Sequence, residues 1–157
     1  MNKAKLKSYA PQARKDFIAA VEARAHSLGL SEMGGTLEIA ASEKKGDVTL
    51  IAGQAWPAKV HDQRQRLIKR MKKDGFAQTV DAVAYTWFNR FAALRYMEIH
   101  DYLDHGYRVL SSREGGLPEI IAHATDVAGS LPGLNTAQIA EMKLAGNQDG
   151  ELYRLLL

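Results

Sequence analysis

Five histidines stand at positions 26, 61, 100, 105 and 123, and the segment His100, Asp101, Asp104 and His105 gathers two of them with two carboxylates. Those side-chain types could ligate a metal ion. No two of the histidines, however, have the spacing that a helical metal site uses. The segment reads instead as the polar end of a helix, where imidazole complements the negative end of the dipole. There is no cysteine, which removes disulfides, thiolate metal sites and cysteine nucleophiles. Glycine-rich phosphate loops of the G-x-G-x-x-G and G-x-x-x-x-G-K kinds are missing, as is a G-x-S-x-G nucleophile elbow.

Two other groups of polar residues stand out. The first lies inside "AYTWFNRFAALRYMEIHDYL", Ala84 to Leu103, where Asn89, Arg90, Arg95 and Glu98 sit among Trp87, Phe88 and other apolar residues. A helix that is apolar on most sides is expected to be internal. Arg90 and Arg95 would then bury their stems and need fixed partners, because unpaired buried charge is costly. Glu98, three residues after Arg95, is a ready partner on the same face. Asn89 is expected to bond to a loop's backbone. The alternative is that these groups line a cleft.

The second group is "KVHDQRQRLIKRMKK". It carries Lys59, Arg64, Arg66, Lys69, Arg70, Lys72 and Lys73 against the single acid Asp62, a local charge of +6 in a chain whose total is +3. On a helix, Lys59, Arg66, Lys69 and Lys73 share a face opposite Val60, Leu67, Ile68 and Met71. A solvated face is the ordinary reading of a charge run. A row of one sign without interspersed glutamates also fits the phosphate backbone of a nucleic acid, which rewards a linear cation array through counterion release. The apolar stripe is narrow and lacks aromatics, which argues against an anionic membrane surface.

Elements that would position these groups follow from periodicity. Pro11 to Leu28 reads as a helix, with Pro11 in its first turn and Gly29 just past its end. Leu37, Ile39 and Ala41 alternate with polar residues, and Val48 to Ala52 is rich in β-formers. With "EKKGD" as the turn, they predict a short β-hairpin near residues 36–52. Further helices are expected at Pro57 to Asp74, Phe76 to Leu103, Pro118 to about Ala128, and Thr136 to about Ala145. A last one starts near Gln148, and Thr136 is the expected N-cap of its predecessor. The predicted fold is mainly α, a helical domain around one long central helix formed by Phe76 to Leu103.

The chain has 157 residues, 46% hydrophobic and 25% charged, which suits one domain, residues 1–157, with a real core. The basic N-terminus has no apolar run behind it, so no signal peptide is expected. No stretch approaches the ~18 apolar residues of a membrane span. A soluble protein of a reducing cytoplasm, with no membrane partner, is the expectation. "GELYRLLL" is amphipathic and stops on three leucines, as expected of an N-terminal piece of a longer protein.

"AYTWFNR" with "ALRYME", followed by "GYRVLSSREGGLPEI", closely resembles the N-terminal region of the PglX proteins. These are adenine-specific DNA methyltransferases of BREX phage-defence systems. The resemblance continues through "KSYAPQARKDFIAAV", "KGDVTLIAGQAWP" and "LAGNQDGELYRLLL", and so spans nearly the whole chain in order. It implies a multidomain parent that transfers a methyl group from S-adenosylmethionine to adenine N6. The catalytic Asn-Pro-Pro-Tyr/Phe motif of such enzymes is not in this chain, nor is their glycine-rich cofactor loop. No catalytic, cofactor or metal residue is therefore carried over, and the chain alone is expected to be catalytically inert. Two roles remain. One is holding DNA through the basic helix. The other is docking, through Leu152, Leu155 and Leu156, on the methyltransferase core, another BREX protein or a phage protein that mimics DNA.

Overall fold

The computed structural model describes residues 3–157, and the protein is mainly α with two small antiparallel sheets. In chain order, α1 (Lys3–Ser27) is followed by β1 (Leu30–Met33), β2 (Thr36–Ile39), β3 (Ser42–Lys45), β4 (Val48–Ile51) and β5 (Gln54–Pro57). Then come α2 (Lys59–Asp74), α3 (Phe76–Ile99), α4 (Glu119–Ala122), α5 (Ala124–Ala128), α6 (Thr136–Ala145) and α7 (Asp149–Leu156). The chain forms two compact units, Met1–Asn89 and Arg90–Leu157.

In the first unit, β1 pairs with β2, and β3, β4 and β5 form a separate three-stranded meander. A hairpin does lie within the expected residues 36–52, but its strands are β3 and β4, and it is part of the meander. The strand containing Leu37 turns back on β1 instead, because Gly34 and Gly35, with φ of 56° and 78°, form a two-residue turn of the kind that matches strand twist. The "EKKGD" segment supplies β3 as well as a turn, with Ser42 opposite Ile51 and Lys45 opposite Val48. The core of this unit is Ala25, Leu30, Ile68, Met71, Phe76 and Val80, with Ile18, Val21, Leu28, Leu37 and Leu67 packed against it. It therefore draws on α1, β1, α2 and the first half of α3.

The first unit's helices depart from expectation at their ends. α1 begins at Lys3 and runs through Pro11, which is exposed, so the carbonyl freed by the missing N–H can be solvated. Pro57 closes β5, and α2 starts two residues later.

The second unit is built around Val109, Ile120, Ile121, Ala124, Val127, Ala128, Ile139, Met142 and Leu152. α3 stops at Ile99, four residues before the expected end, where Asp101 takes a left-handed conformation (φ 54°). The helix expected from Pro118 to about Ala128 is two short ones, because His123 (φ −100°, ψ 21°) breaks the turn between them. α6 is capped by Asn135, not Thr136: the Asn135 Oδ1 accepts hydrogen bonds from the N–H groups of Ala137 and Gln138 at 3.0 and 3.2 Å. Leu152 is fully buried and Leu156 packs against the core, which corrects the expectation that both lie on a docking surface; Leu155 is exposed.

Residue by residue, α3 is not the wholly internal helix that its composition implies. Phe76, Val80 and Ala84 are buried, and Leu94 packs into the second core. Tyr85, Trp87, Tyr96 and Ile99 are exposed. Apolar composition alone does not bury a helix face; a partner element must cover it.

Candidate nucleic-acid interface

α2 is strongly amphipathic, as its sequence requires. Val60, Ile68 and Met71 are buried and Leu67 is half-buried, so one stripe faces the core of the first unit. Lys59, Arg66, Lys69, Arg70, Lys72 and Lys73 are all exposed. At 100° per residue, Lys59, Arg66, Lys69, Arg70 and Lys73 fall within one face, away from the buried stripe. From Lys59 to Lys73 the helix axis advances about 21 Å, at ~1.5 Å per residue. Only one ion pair restrains this row among the described residues: Arg70 Nε lies 3.6 Å from Asp74 Oδ2. The other four cations of the row, Lys59, Arg66, Lys69 and Lys73, are held by no ion pair among the described residues.

Arg64 is the exception among the seven candidates. It is 2% exposed, and its guanidinium is spent on the protein itself. Nε donates to the Leu28 carbonyl at 2.7 Å, Nη2 to the Ala40 carbonyl at 2.6 Å and Nη1 to Ser42 Oγ at 3.0 Å. Burial lowers its pKa, yet a guanidinium stays charged at any ordinary pH. Arg64 therefore leaves the set of candidate contacts and becomes the tie between α2, the end of α1 and the β2–β3 connection. A sequence signal for this existed. Position 64 lies four residues from both Val60 and Ile68, inside the apolar stripe.

Gly29 makes that tie possible. Its φ is +64°, and an added Cβ would lie 2.6 Å from Ala40 Cβ and 3.6 Å from Arg64 Nη2. Only a residue without a side chain lets the backbone approach this closely.

The charge of the protein is divided between its units. Up to Asn89 there are fifteen Lys and Arg against nine Asp and Glu, a net +6; from Arg90 onward there are six against nine, a net −3. The basic helix thus stands in a unit of its own sign.

The polar residues of α3 are structural where they are buried. Arg95 pairs with Glu98 as expected, but the burial is reversed: the Glu98 side chain is 0% exposed and that of Arg95 48%. Glu98 also accepts from the Leu110 N–H at 2.7 Å and from Ser111 Oγ at 2.9 Å. Burial opposes its charge, but these bonds and the Arg95 guanidinium outweigh it and hold its pKa below the usual carboxylate value. Phe88 meets Phe17 edge to face at 5.8 Å. Asn89 and Arg90 are exposed, and among the described residues no loop backbone takes the Asn89 side chain.

Sequence reasoning missed the residues that fix the loop before α4. Glu119 accepts from the Arg108 and Arg113 N–H groups at 3.0 and 2.7 Å and pairs with the Arg113 guanidinium at 2.7 Å. These bonds hold its pKa below the ordinary value. Tyr153 donates to the Val109 carbonyl at 2.8 Å, and its phenol pKa is pushed up by burial and by the nearby Glu98 charge. No spacing rule marks such pairs, because the loop's path is set by packing.

The His100–His105 segment does not converge on a point. His100 rests on Tyr96 and Tyr102, with ring centroids 4.3 and 5.6 Å away. His105 Nδ1 takes the Tyr107 N–H at 3.1 Å. Among the described residues no group of three metal-type ligands occurs, and no helix is long and apolar enough to cross a membrane.

No protein-family model matches the chain. Two relatives do. The adenine-specific methyltransferase BrxX of Escherichia coli O9:H4 (strain HS) is 45% identical over 159 residues, covering all of this chain and 13% of that protein. The adenine-specific methyltransferase PglX of Lacticaseibacillus casei (strain Zhang) is 30% identical over 142 residues, covering 85% of this chain and 12% of that protein. The chain is homologous to the BrxX and PglX methyltransferases. It matches them as an N-terminal region, and spans about an eighth of the length of either relative.

Proposed function

We propose that this chain is the part of a BREX adenine-specific DNA methyltransferase that holds DNA by its phosphates, with α2 as the contact. The observation that carries the reading is the row of Lys59, Arg66, Lys69, Arg70 and Lys73, exposed along about 21 Å of one helix face. DNA presents a phosphate every ~3.4 Å along each strand, so a row of that length can meet several. Phosphate contacts set orientation and register but read no bases, so the target sequence is chosen elsewhere in the parent. On this reading Arg64 serves the site without touching DNA. It locks α2 to the β2–β3 connection, so the cations lie on a fixed helix.

Methyl transfer to adenine, with S-adenosylmethionine as donor, belongs in this reading to the parent's remaining length. The residues present here supply positioning. A labelled duplex titrated with the chain and followed by fluorescence anisotropy tests the proposal. Replacing Arg66, Lys69 and Lys73 together by Glu should weaken binding at least tenfold while circular dichroism and the melting temperature stay near wild type. Unchanged affinity in the triple variant would refute the DNA-holding role of α2.

A further inference from the structure

His100 to Pro118 join α3 to α4 as a long loop, and its two halves are held by different chemistry. The second half is gripped by carboxylates. Glu119 accepts from the Arg108 and Arg113 N–H groups, and Glu98 from that of Leu110. Both carboxylates titrate below the ordinary glutamate value, so these grips persist at any pH above about 5.

The first half closes on a set of stacked rings. The Tyr107 ring lies 4.0 Å from that of His123, at 6° to it, and 6.1 Å from that of His105, at 17°. His123 stands between α4 and α5, so the stack fastens the loop to those helices.

The two imidazoles hold their protons on opposite nitrogens. His105 Nδ1 accepts the Tyr107 N–H at 3.1 Å, so in the neutral ring the proton is on Nε2. His123 Nδ1 lies 2.9 Å from Asp126 Oδ2, and because an ionised carboxylate only accepts, this nitrogen carries the proton. Acid therefore acts on them in opposite senses. A second proton on His123 goes to Nε2, which leaves the Asp126 bond in place and adds a charge pair to it. A second proton on His105 goes to Nδ1, the nitrogen that holds Tyr107, and the bond to the Tyr107 N–H is lost.

Charged groups reach this region from each packed element. Asp126 of α5 also accepts from the Tyr107 hydroxyl at 3.5 Å. Arg113 donates to the Gly106 carbonyl at 3.4 Å and is paired with Asp101 and with Glu119 of α4. Asp104 precedes His105 in the chain. Lys143 of α6 donates to the Ile121 carbonyl at 3.1 Å, and Tyr153 of α7 meets the Val109 carbonyl as a neutral phenol. None of these can replace His105 Nδ1 as the acceptor unless the loop moves, because that bond spans only two residues of one turn.

We propose that the α3–α4 loop is a pH-responsive strap, in which protonation of His105 releases the half around Tyr107 while Glu98 and Glu119 keep the other half in place. It does not depend on the DNA reading. The test is NMR on the full chain between about pH 8 and pH 5, the range in which imidazole changes charge. Exchange of the Tyr107, Leu110 and Arg113 amide protons with water is measured, corrected for the intrinsic effect of pH, together with the ring signals of His105 and His123.

Protection of the Tyr107 amide should fall at least fivefold, with the midpoint of the His105 ring titration, while Leu110 and Arg113 change less than twofold. His105→Asn supplies a side-chain oxygen that accepts the same N–H and does not titrate, so its Tyr107 protection should stay flat. Constant Tyr107 protection in the wild type would overturn the proposal, as would an equal fall in His105→Asn or a fall that follows His123. Parallel loss at Leu110 and Arg113 would overturn it too, since the loop would then move as one piece. If the variant fails to fold, the wild-type comparison of Tyr107 with Leu110 and Arg113 decides.

Discussion

Arg64 Nε donates to the carbonyl of Leu28, thirty-six residues earlier in the chain, at 2.7 Å. That bond joins the helix with the densest positive charge to the turn that ends α1. Its Nη2 satisfies Ala40 in the same way. A charge buried for such a purpose is stabilising only while its partners remain, and each partner orphaned costs about 1–3 kcal/mol.

Arg64→Met should therefore lower stability by about 2–5 kcal/mol, since two part-buried carbonyls and Ser42 lose their donor. Arg66→Met, on the exposed face, should stay within about 0.5 kcal/mol of wild type. Urea denaturation of both variants checks the contrast. Equal effects would mean that Arg64 is not the tie described.

Glu98 gives a pH dependence with a definite sign. Its folded pKa is depressed below the unfolded glutamate value of about 4.3, so its contribution is fully present above that pH. It is lost as pH falls through the folded value. Glu119 is shifted the same way and acts in the same window. Glu98→Gln should flatten the stability loss between about pH 4.3 and the acid limit, and Glu119 should leave a residual slope. Melting temperatures measured from pH 7 down to pH 3 check this; an unaltered acid slope in Glu98→Gln would contradict it.

Phe76 and Trp87 stand on the same helix, but Phe76 is 7% exposed and Trp87 39%. Phe76→Ala should cost about 3–5 kcal/mol, the range for deleting a large buried aromatic. Trp87→Ala should cost clearly less. A larger loss at Trp87 than at Phe76 would mean that the burial on α3 is reversed.

The features that were legible in the sequence share one property: a periodic pattern that contacts within the element could satisfy. The faces of α2, the bounds of α6 and the Arg95–Glu98 pair all follow from helical spacing. The strand pairing did not. β3, "SEKK", has no alternating apolar face, so its place in a sheet is decided by its neighbours and by the glycine turns around it. Arg64 was counted with its charge although its position lay in the apolar stripe. A buried arginine is intelligible only once the carbonyls of Leu28 and Ala40 are seen to converge on it. The exposed side of α3 was hidden for the opposite reason, since its aromatics look like core and only packing reveals which are covered.

The most direct test of the central claim is the salt dependence of duplex binding. Each phosphate neutralised contributes about −0.9 to the slope of log Kobs against log salt concentration. If four of Lys59, Arg66, Lys69, Arg70 and Lys73 engage, the slope should be about −3 to −4, with little preference between duplex sequences. In the Arg66→Glu, Lys69→Glu, Lys73→Glu variant most of that slope should disappear. A wild-type slope near zero, or a triple variant that keeps the full wild-type slope, would contradict the claim that α2 holds the phosphate backbone.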